Sequence, residues 1–150
     1  TARLPASRRR KLVGIVSQGL PLLAGSNRFN IRYGALDLDE NALEEACTRW
    51  GVIPSAQSSA TNATPVMLLR ALVGARPLLV LDLAGIAIDA PHASLLAETI
   101  ARHDGVVLIA HAPALLDVEA TQNWRITSDA FSATVLRQNL RLIEGAGDPR

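Results

Sequence analysis

The chain has 150 residues, the length of one domain, and 49% of it is apolar with only 3% aromatic, so Leu, Ala, Val and Ile must fill its core. Fifteen basic residues against fourteen acidic ones leave a net charge of +1, without the basic surplus of a nucleic-acid binder, so no nucleic-acid partner is expected. Cys47 stands alone, which excludes an internal disulfide and a cysteine-cluster metal site, and Lys11 is the only Lys beside fourteen Arg.

The start, Thr-Ala-Arg-Leu-Pro, has neither a Met nor the apolar stretch of a signal peptide, and the chain is expected to be a piece of something longer. Arg8-Arg9-Arg10-Lys11 reads as a solvated edge before the strand-like run Leu12 to Val16. Ser17 to Gly34, broken by Gly19, Pro21, Gly25 and Gly34, is expected to be irregular. Asp39 then caps a helix whose stripe is Leu43, Ala46, Cys47 and Trp50, closed by Gly51. Cys47 belongs to that stripe as a small core residue rather than a nucleophile. Ser55 to Thr64 reads as a loop, and Thr64-Pro65 as the cap and first turn of a helix running to Val73.

Leu78 to Leu83 is almost continuously apolar, the pattern of a parallel strand covered on both faces. The stretch around Leu78 to Ile88 is interrupted by Asp82 and is shorter than the roughly 20 residues of a membrane span. A helix over about Ala93 to His103 leads to a second buried strand, Val106 to Ala110. Alternating strands and helices with short turns predict right-handed crossovers and an α/β layered core. Further on, Trp124 to Thr127 and Ser132 to Leu136 read as short strands, and Leu136 to Ile143 as a helix.

Open parallel sheets bind ligands at the carboxyl ends of their strands. Gln18, Asp82 and His111 stand at three such ends. Each has an ordinary structural explanation: a strand-end Asp caps a turn, and a His after an apolar strand is often a hydrogen-bonded rim residue. Together on one rim they form a candidate site.

Their order and surroundings resemble the nucleotide-binding domain of ABC transporters, most closely the exporter type. Gly14 to Gln18 resembles the strand entering the Q-loop, and Leu22 to Ser26 with Asn30 to Gly34 resembles the exporter segment that follows it. Arg70-Ala71-Leu72 and Pro77 to Asp82 are similar to the helix after the signature and the Walker B strand. Asp89, seven positions after Asp82, falls at the D-loop aspartate, and Val107 to His111 resembles the strand ending in the switch histidine. The resemblance runs over residues 8 to 127.

It implies a P-loop NTPase-like parallel-sheet core, incomplete at its N-terminus. The Q-loop region would occupy 1–34, a shortened helical subdomain 35–64, the Walker B to switch-histidine core 65–127 and a C-terminal extension 128–150. It also implies ATP and Mg2+ as cofactors. Gln18 would place the metal and the attacking water, Asp82 would hold Mg2+ through water, and His111 would contact the γ-phosphate. Ser59 and Asp89 would serve at the nucleotide and across a dimer. The implied partners are an ABC transmembrane domain and a second nucleotide-binding domain, in a homo- or heterodimer at the cytoplasmic face of the cell membrane.

The departures are equally specific. No Gly-x-x-x-x-Gly-Lys loop exists, since Lys11 lies between Arg10 and Leu12; truncation before the Q-loop would account for that. Leu83 stands where the family has its catalytic glutamate, which removes general-base help worth about 10²–10⁴-fold. The signature aligns with Ser58-Ser59-Ala60-Thr61-Asn62, in which only Ser59 survives. Both defects in one chain would impair both composite sites of a dimer, so a degenerate ATPase domain is expected and its status as an enzyme stays open. Two alternatives remain. One is a non-catalytic interaction module that keeps the fold and docks a partner through Leu22 to Gly34. The other is an unrelated small α/β enzyme using Asp82 and His111, disfavoured because Ser17 lacks a nucleophile elbow.

Overall fold

A computed structural model describes residues 11–111, 114–126 and 131–135, with Pro5 and Arg8. The three apolar runs form one parallel sheet, β1 (Val13–Val16), β2 (Leu78–Asp82) and β3 (Val106–Ala110), in that spatial order. Ile15 pairs with Val80 and Val80 with Leu108, while Asp82 pairs with Ala110 at the carboxyl end. Between β1 and β2 lie α1 (Asn27–Gly34), α2 (Glu40–Arg49), a 3-10 turn (Ala60–Asn62) and α3 (Ala63–Leu72). The crossover from β2 to β3 is α4 (Ala90–Ala101).

Right-handed crossovers that advance in one direction across a sheet put their helices on one face. Burial along the strands agrees: Val16, Leu79 and Leu81 are buried, and α3 packs so closely on β1 that a Cβ on Gly14 would collide with the Ala71 carbonyl. The opposite face carries Ile15 at 43% and Val106 at 53% exposure, with Val80 and Leu108 half-buried. The expectation that β2 is covered on both faces is therefore corrected: among the described residues one face is covered. An apolar run shows that neither face must be polar, but it cannot report how many layers exist.

Ser17 to Gly34 is not irregular throughout, because α1 fills its second half. Ser26 is the N-cap, its hydroxyl accepting from the Phe29 N–H at 3.2 Å, and the breakers Gly19, Pro21 and Gly25 all precede it. The cap of α2 is Asp39 as expected, accepting from Asn41 and Ala42 N–H at 3.0 and 3.2 Å. Leu43, Cys47 and Trp50 are buried, and burial raises the Cys47 thiol pKa, which suits a core residue. Ion pairs from Arg28 to Glu40 and Glu44, and from Arg32 to Glu40, join α1 to α2.

The cap of α3 is Asn62 rather than Thr64, because the 3-10 turn feeds straight into the helix. The Thr64 hydroxyl instead donates to the Ala87 carbonyl at 3.0 Å. Likewise α4 begins three residues before the expected Ala93, at Ala90, capped by Asp89 and with a proline in its first turn. Of the basic cluster, Arg8 and Lys11 are exposed, Lys11 pairing with Asp37 at 2.6 Å; Arg9 and Arg10 lie outside the described residues. Among the described residues no helix is long and apolar enough to cross a membrane.

The chain divides into two compact units, Thr1–Asp117 and Val118–Arg150. In the second, β4 (Gln122–Ile126) and β5 (Phe131–Val135) pair antiparallel, close to the two short strands expected there. The helix expected over 136–143 lies outside the described residues.

Candidate functional site

Because β2 and β3 pair Asp82 with Ala110, the next residue, His111, arrives beside the Asp82 side chain. His111 Nδ1 lies 3.0 Å from Asp82 Oδ1, and since a carboxylate only accepts, the proton of this bond sits on Nδ1. His111 has φ +54, the left-handed region that few non-glycine residues adopt, and this turns the chain at the strand end. The same Asp82 oxygen accepts from the Ala84 N–H at 3.3 Å. The His111 hydrogen bond, followed by that from Ala84, holds the Asp82 carboxyl below its ordinary 3.8. Both side chains face solvent, 43% exposed for Asp82 and 70% for His111.

Gln18 joins the same end of the sheet. The turn after β2 passes through Gly85, at φ +67, and a Cβ there would lie 2.8 Å from Gln18 Oε1. Only glycine supplies both that conformation and that approach. Next to Asp82, Leu83 is 3% exposed and donates its N–H to the Ala110 carbonyl at 3.0 Å, so its side chain belongs to the core.

Gln18 also lines an open cleft of about 480 Å³ with Ser58, Ser59 and the 21–24 segment. Ser59 caps the 3-10 turn: its N–H donates to Asn62 Oδ1 at 2.8 Å, and its hydroxyl lies 2.8 Å from that of Thr61. Asp89 is engaged elsewhere. Its carboxylate accepts the His92 N–H at 2.9 Å and lies 2.6 Å from His92 Nδ1, and these contacts, the N–H first, keep its carboxyl below the ordinary 3.8. His92 in turn stacks on Trp50 at 5.8 Å, between α2 and α4. The structure thus gathers Gln18, Asp82 and His111, places Ser59 across a cleft from Gln18, and uses Asp89 as a helix cap.

The sequence assigned no role to Asn27, Asn30, Ser58 or Arg76. The first two are buried amides behind the cleft wall, bonded to Ser58. Arg76 is 3% exposed, its guanidinium donating to the carbonyls of Gly34, Ala71 and Val73 at the ends of α1 and α3. Burial lowers its pKa. Polar residues inside a helical or loop segment leave no periodic signal, so only the fold reveals them.

The residues present fit the implied groups unequally. Among the described residues no group of three or more His, Cys, Asp or Glu could hold a metal ion. At the strand ends Asp82 offers an exposed carboxylate held below its ordinary pKa, which suits Mg2+ carried mainly by water and phosphate oxygens. A triphosphate does not fit these residues by themselves. The sequence has no phosphate-binding glycine loop, and Lys11 lies before β1, paired with Asp37, whereas Asp82 ends β2.

No family model matches the sequence, and no curated protein matches it. Among solved structures the chain is similar to a bacterial Atm1-family ABC exporter with ATP bound, at 23% identity and a TM-score of 0.57. The match covers 71% of this chain and 22% of that one, so the chain spans less than a quarter of the exporter's length. At this identity the likeness is one of fold: the parallel sheet and its helices share their architecture with part of an ABC exporter.

Proposed function

We propose that the chain is part of an ABC-exporter-type nucleotide-binding domain whose ATPase site is degenerate. The observation that carries this reading is the Asp82–His111 pair with Gln18 on the adjoining turn, at the carboxyl end of a parallel sheet whose fold is shared with an ATP-bound exporter. In it Asp82 would hold Mg2+ through water, His111 would contact the terminal phosphate, and Gln18 would order water at the metal. Bound Mg2+·ATP would supply the phosphoanhydride whose binding closes a dimer. Ser59 serves the opposed half of that site, and Asp89, fixed as the α4 cap, presents the turn before α4 to the second domain. A transmembrane domain at the cytoplasmic face of the membrane is the coupled partner. Leu83, buried beside Asp82, offers no carboxylate to activate water, which supports binding without efficient turnover.

A second reading, an interaction module without nucleotide chemistry, has its own support. A cleft of about 360 Å³ lies beside α1, lined by Ile15, Leu20, Leu23 and Tyr33, and these four apolar or aromatic side chains are about 40% exposed. The two are separated on protein made from the complete gene, by ATP titration with and without Mg2+ and by steady-state ATPase assay. Expected is Mg2+-dependent ATP binding weakened by Asp82→Ala, with turnover at background. Absence of ATP binding favours the interaction module; robust turnover abolished by Asp82→Ala overturns the degenerate site.

A further inference from the structure

A helix begins with N–H groups that it cannot satisfy itself. In α1 the loop before Ser59 supplies the acceptors: Asn27 N–H donates to the Ala56 carbonyl at 2.8 Å and Arg28 N–H to that of Pro54 at 2.9 Å. Ser26 and Gln57 form an isolated antiparallel bridge, and Ser58 N–H donates to the Gly25 carbonyl at 3.0 Å. Residues 53–58 are thus zipped along the start of α1.

Beneath the zipper lie Asn27 and Asn30, 1% and 0% exposed. Asn30 grips Leu23 through both backbone groups, accepting its N–H at 2.8 Å and donating to its carbonyl at 2.9 Å. The same Nδ2 reaches the Ser26 carbonyl at 3.2 Å and Ser58 Oγ at 3.0 Å. The Ser58 hydroxyl donates to Asn27 Oδ1 at 2.9 Å, and Asn27 Nδ2 donates to the Ile53 carbonyl at 2.9 Å. Between Leu23 and Gln18, Arg70 of α3 donates to the carbonyls of Leu20 and Pro21 at 2.5 and 3.0 Å. The loop carrying Gln18 and the segment carrying Ser59, the two walls of the larger cleft, are therefore fastened to each other through Ser58, Asn30 and Arg70.

We propose that Asn30, acting with Ser58 and Asn27, is a positioning residue that makes the Gln18 wall and the Ser59 wall move as one body. Three short neutral side chains suit this task. They lose little rotamer freedom, their hydrogen bonds are directional, and a buried polar group that loses its partner is costly, so neither wall separates alone. That the two walls serve a nucleotide rests on the reading above. The coupling is measured without nucleotide, so its failure leaves that reading standing, and failure of the nucleotide titration leaves the coupling intact.

The test is NMR on the isotopically labelled full-length protein. Ser58→Ala removes the hydroxyl that joins the two asparagines. Expected are shifts of both the Ser59 backbone amide and the Gln18 side-chain amide, with the His111 ring signals unchanged and the Leu23 amide exchanging about fivefold faster. Ser58→Thr, which restores the hydroxyl, brings the Gln18 and Ser59 signals back; a merely structural contact would not show that return. Asn30→Ala is expected to move the same signals further. Should that variant fail to fold, Ser58→Ala and Ser58→Thr decide. Movement of Ser59 with Gln18 unmoved, in either the Ser58→Ala or a folded Asn30→Ala chain, overturns the proposal.

Discussion

Two polar clusters of this chain are built on opposite principles. At the strand ends, Asp82 and His111 are 43% and 70% exposed, carry or can carry charge, and share one bond of 3.0 Å. Behind the cleft wall, Asn27 and Asn30 are at most 1% exposed, are neutral, and spend their hydrogen-bonding capacity on the chain itself. Exposed ionic pairs add little to stability but keep lone pairs available. Buried amides hold the fold and have little left to offer a ligand. Chemistry and cohesion are thus assigned to separate residues, and each substitution below asks whether that division holds.

The largest effect is expected from forcing charge across it. Leu83 adjoins Asp82 in sequence but is 3% exposed, so Leu83→Glu buries a carboxylate in the apolar layer. A loss of about 3–5 kcal/mol is expected from the unfolding midpoint in urea, the cost of an uncompensated buried charge. A stable Leu83→Glu protein would show that position 83 opens to the Asp82 side, and the separation would fail. Asn30→Ala comes next, at about 2–3 kcal/mol, because it strands the Leu23 N–H and carbonyl inside the protein. Asp82→Asn and His111→Ala should move the urea midpoint only slightly, since both side chains face solvent. A clear loss of stability in either would mean that the exposed pair also holds the fold.

How much of this was legible beforehand depended on the kind of signal. The strands β1, β2 and β3 were read within a residue or so, because apolar runs bounded by Gly and Pro are strong strand signals. The rule that ligand-facing residues sit at carboxyl ends makes the neighbourhood of Asp82 and His111 legible in the sequence. Asp39 was legible as a cap because a carboxylate before an amphipathic stripe has a local mechanism. By contrast α1 was hidden. Its buried stripe is Asn27, Asn30 and Ile31, two amides and one apolar residue, which yields no hydrophobic period. The cap of α3 was placed at Thr64 because Thr-Pro is a stronger textual cue than Asn62, although the 3-10 turn made Asn62 the entry. The count of covered sheet faces was illegible for a different reason: layers are a property of several segments at once, and Ile15, Val80 and Val106 look the same in sequence whether or not something packs on them.

The smallest expected effect separates the clusters most sharply, because amides do not titrate and carboxylates do. The hydrogen bonds from His111 and then Ala84 hold the Asp82 carboxyl below 3.8, its ordinary value and that of the unfolded chain. The folded state therefore binds this proton less readily than the unfolded state. The stabilisation is fully present above 3.8 and is lost as pH falls from there through the folded value. An NMR titration from about pH 6 to about pH 2 should show the Asp82 carboxyl and Ala84 amide signals moving together, with a midpoint below the ordinary carboxylate value. Removing the imidazole with His111→Ala should move that midpoint upward, because the first-named of its causes is gone while the Ala84 N–H remains. Over the same range, while the chain stays folded, the Asn30 and Ser58 signals should stay flat, since every group they touch within 3.2 Å is a neutral amide, carbonyl or hydroxyl. If the Asn30 side-chain amide followed the Asp82 midpoint, the strand-end charge would be reaching the amide cluster, and the two would have to be treated as one network.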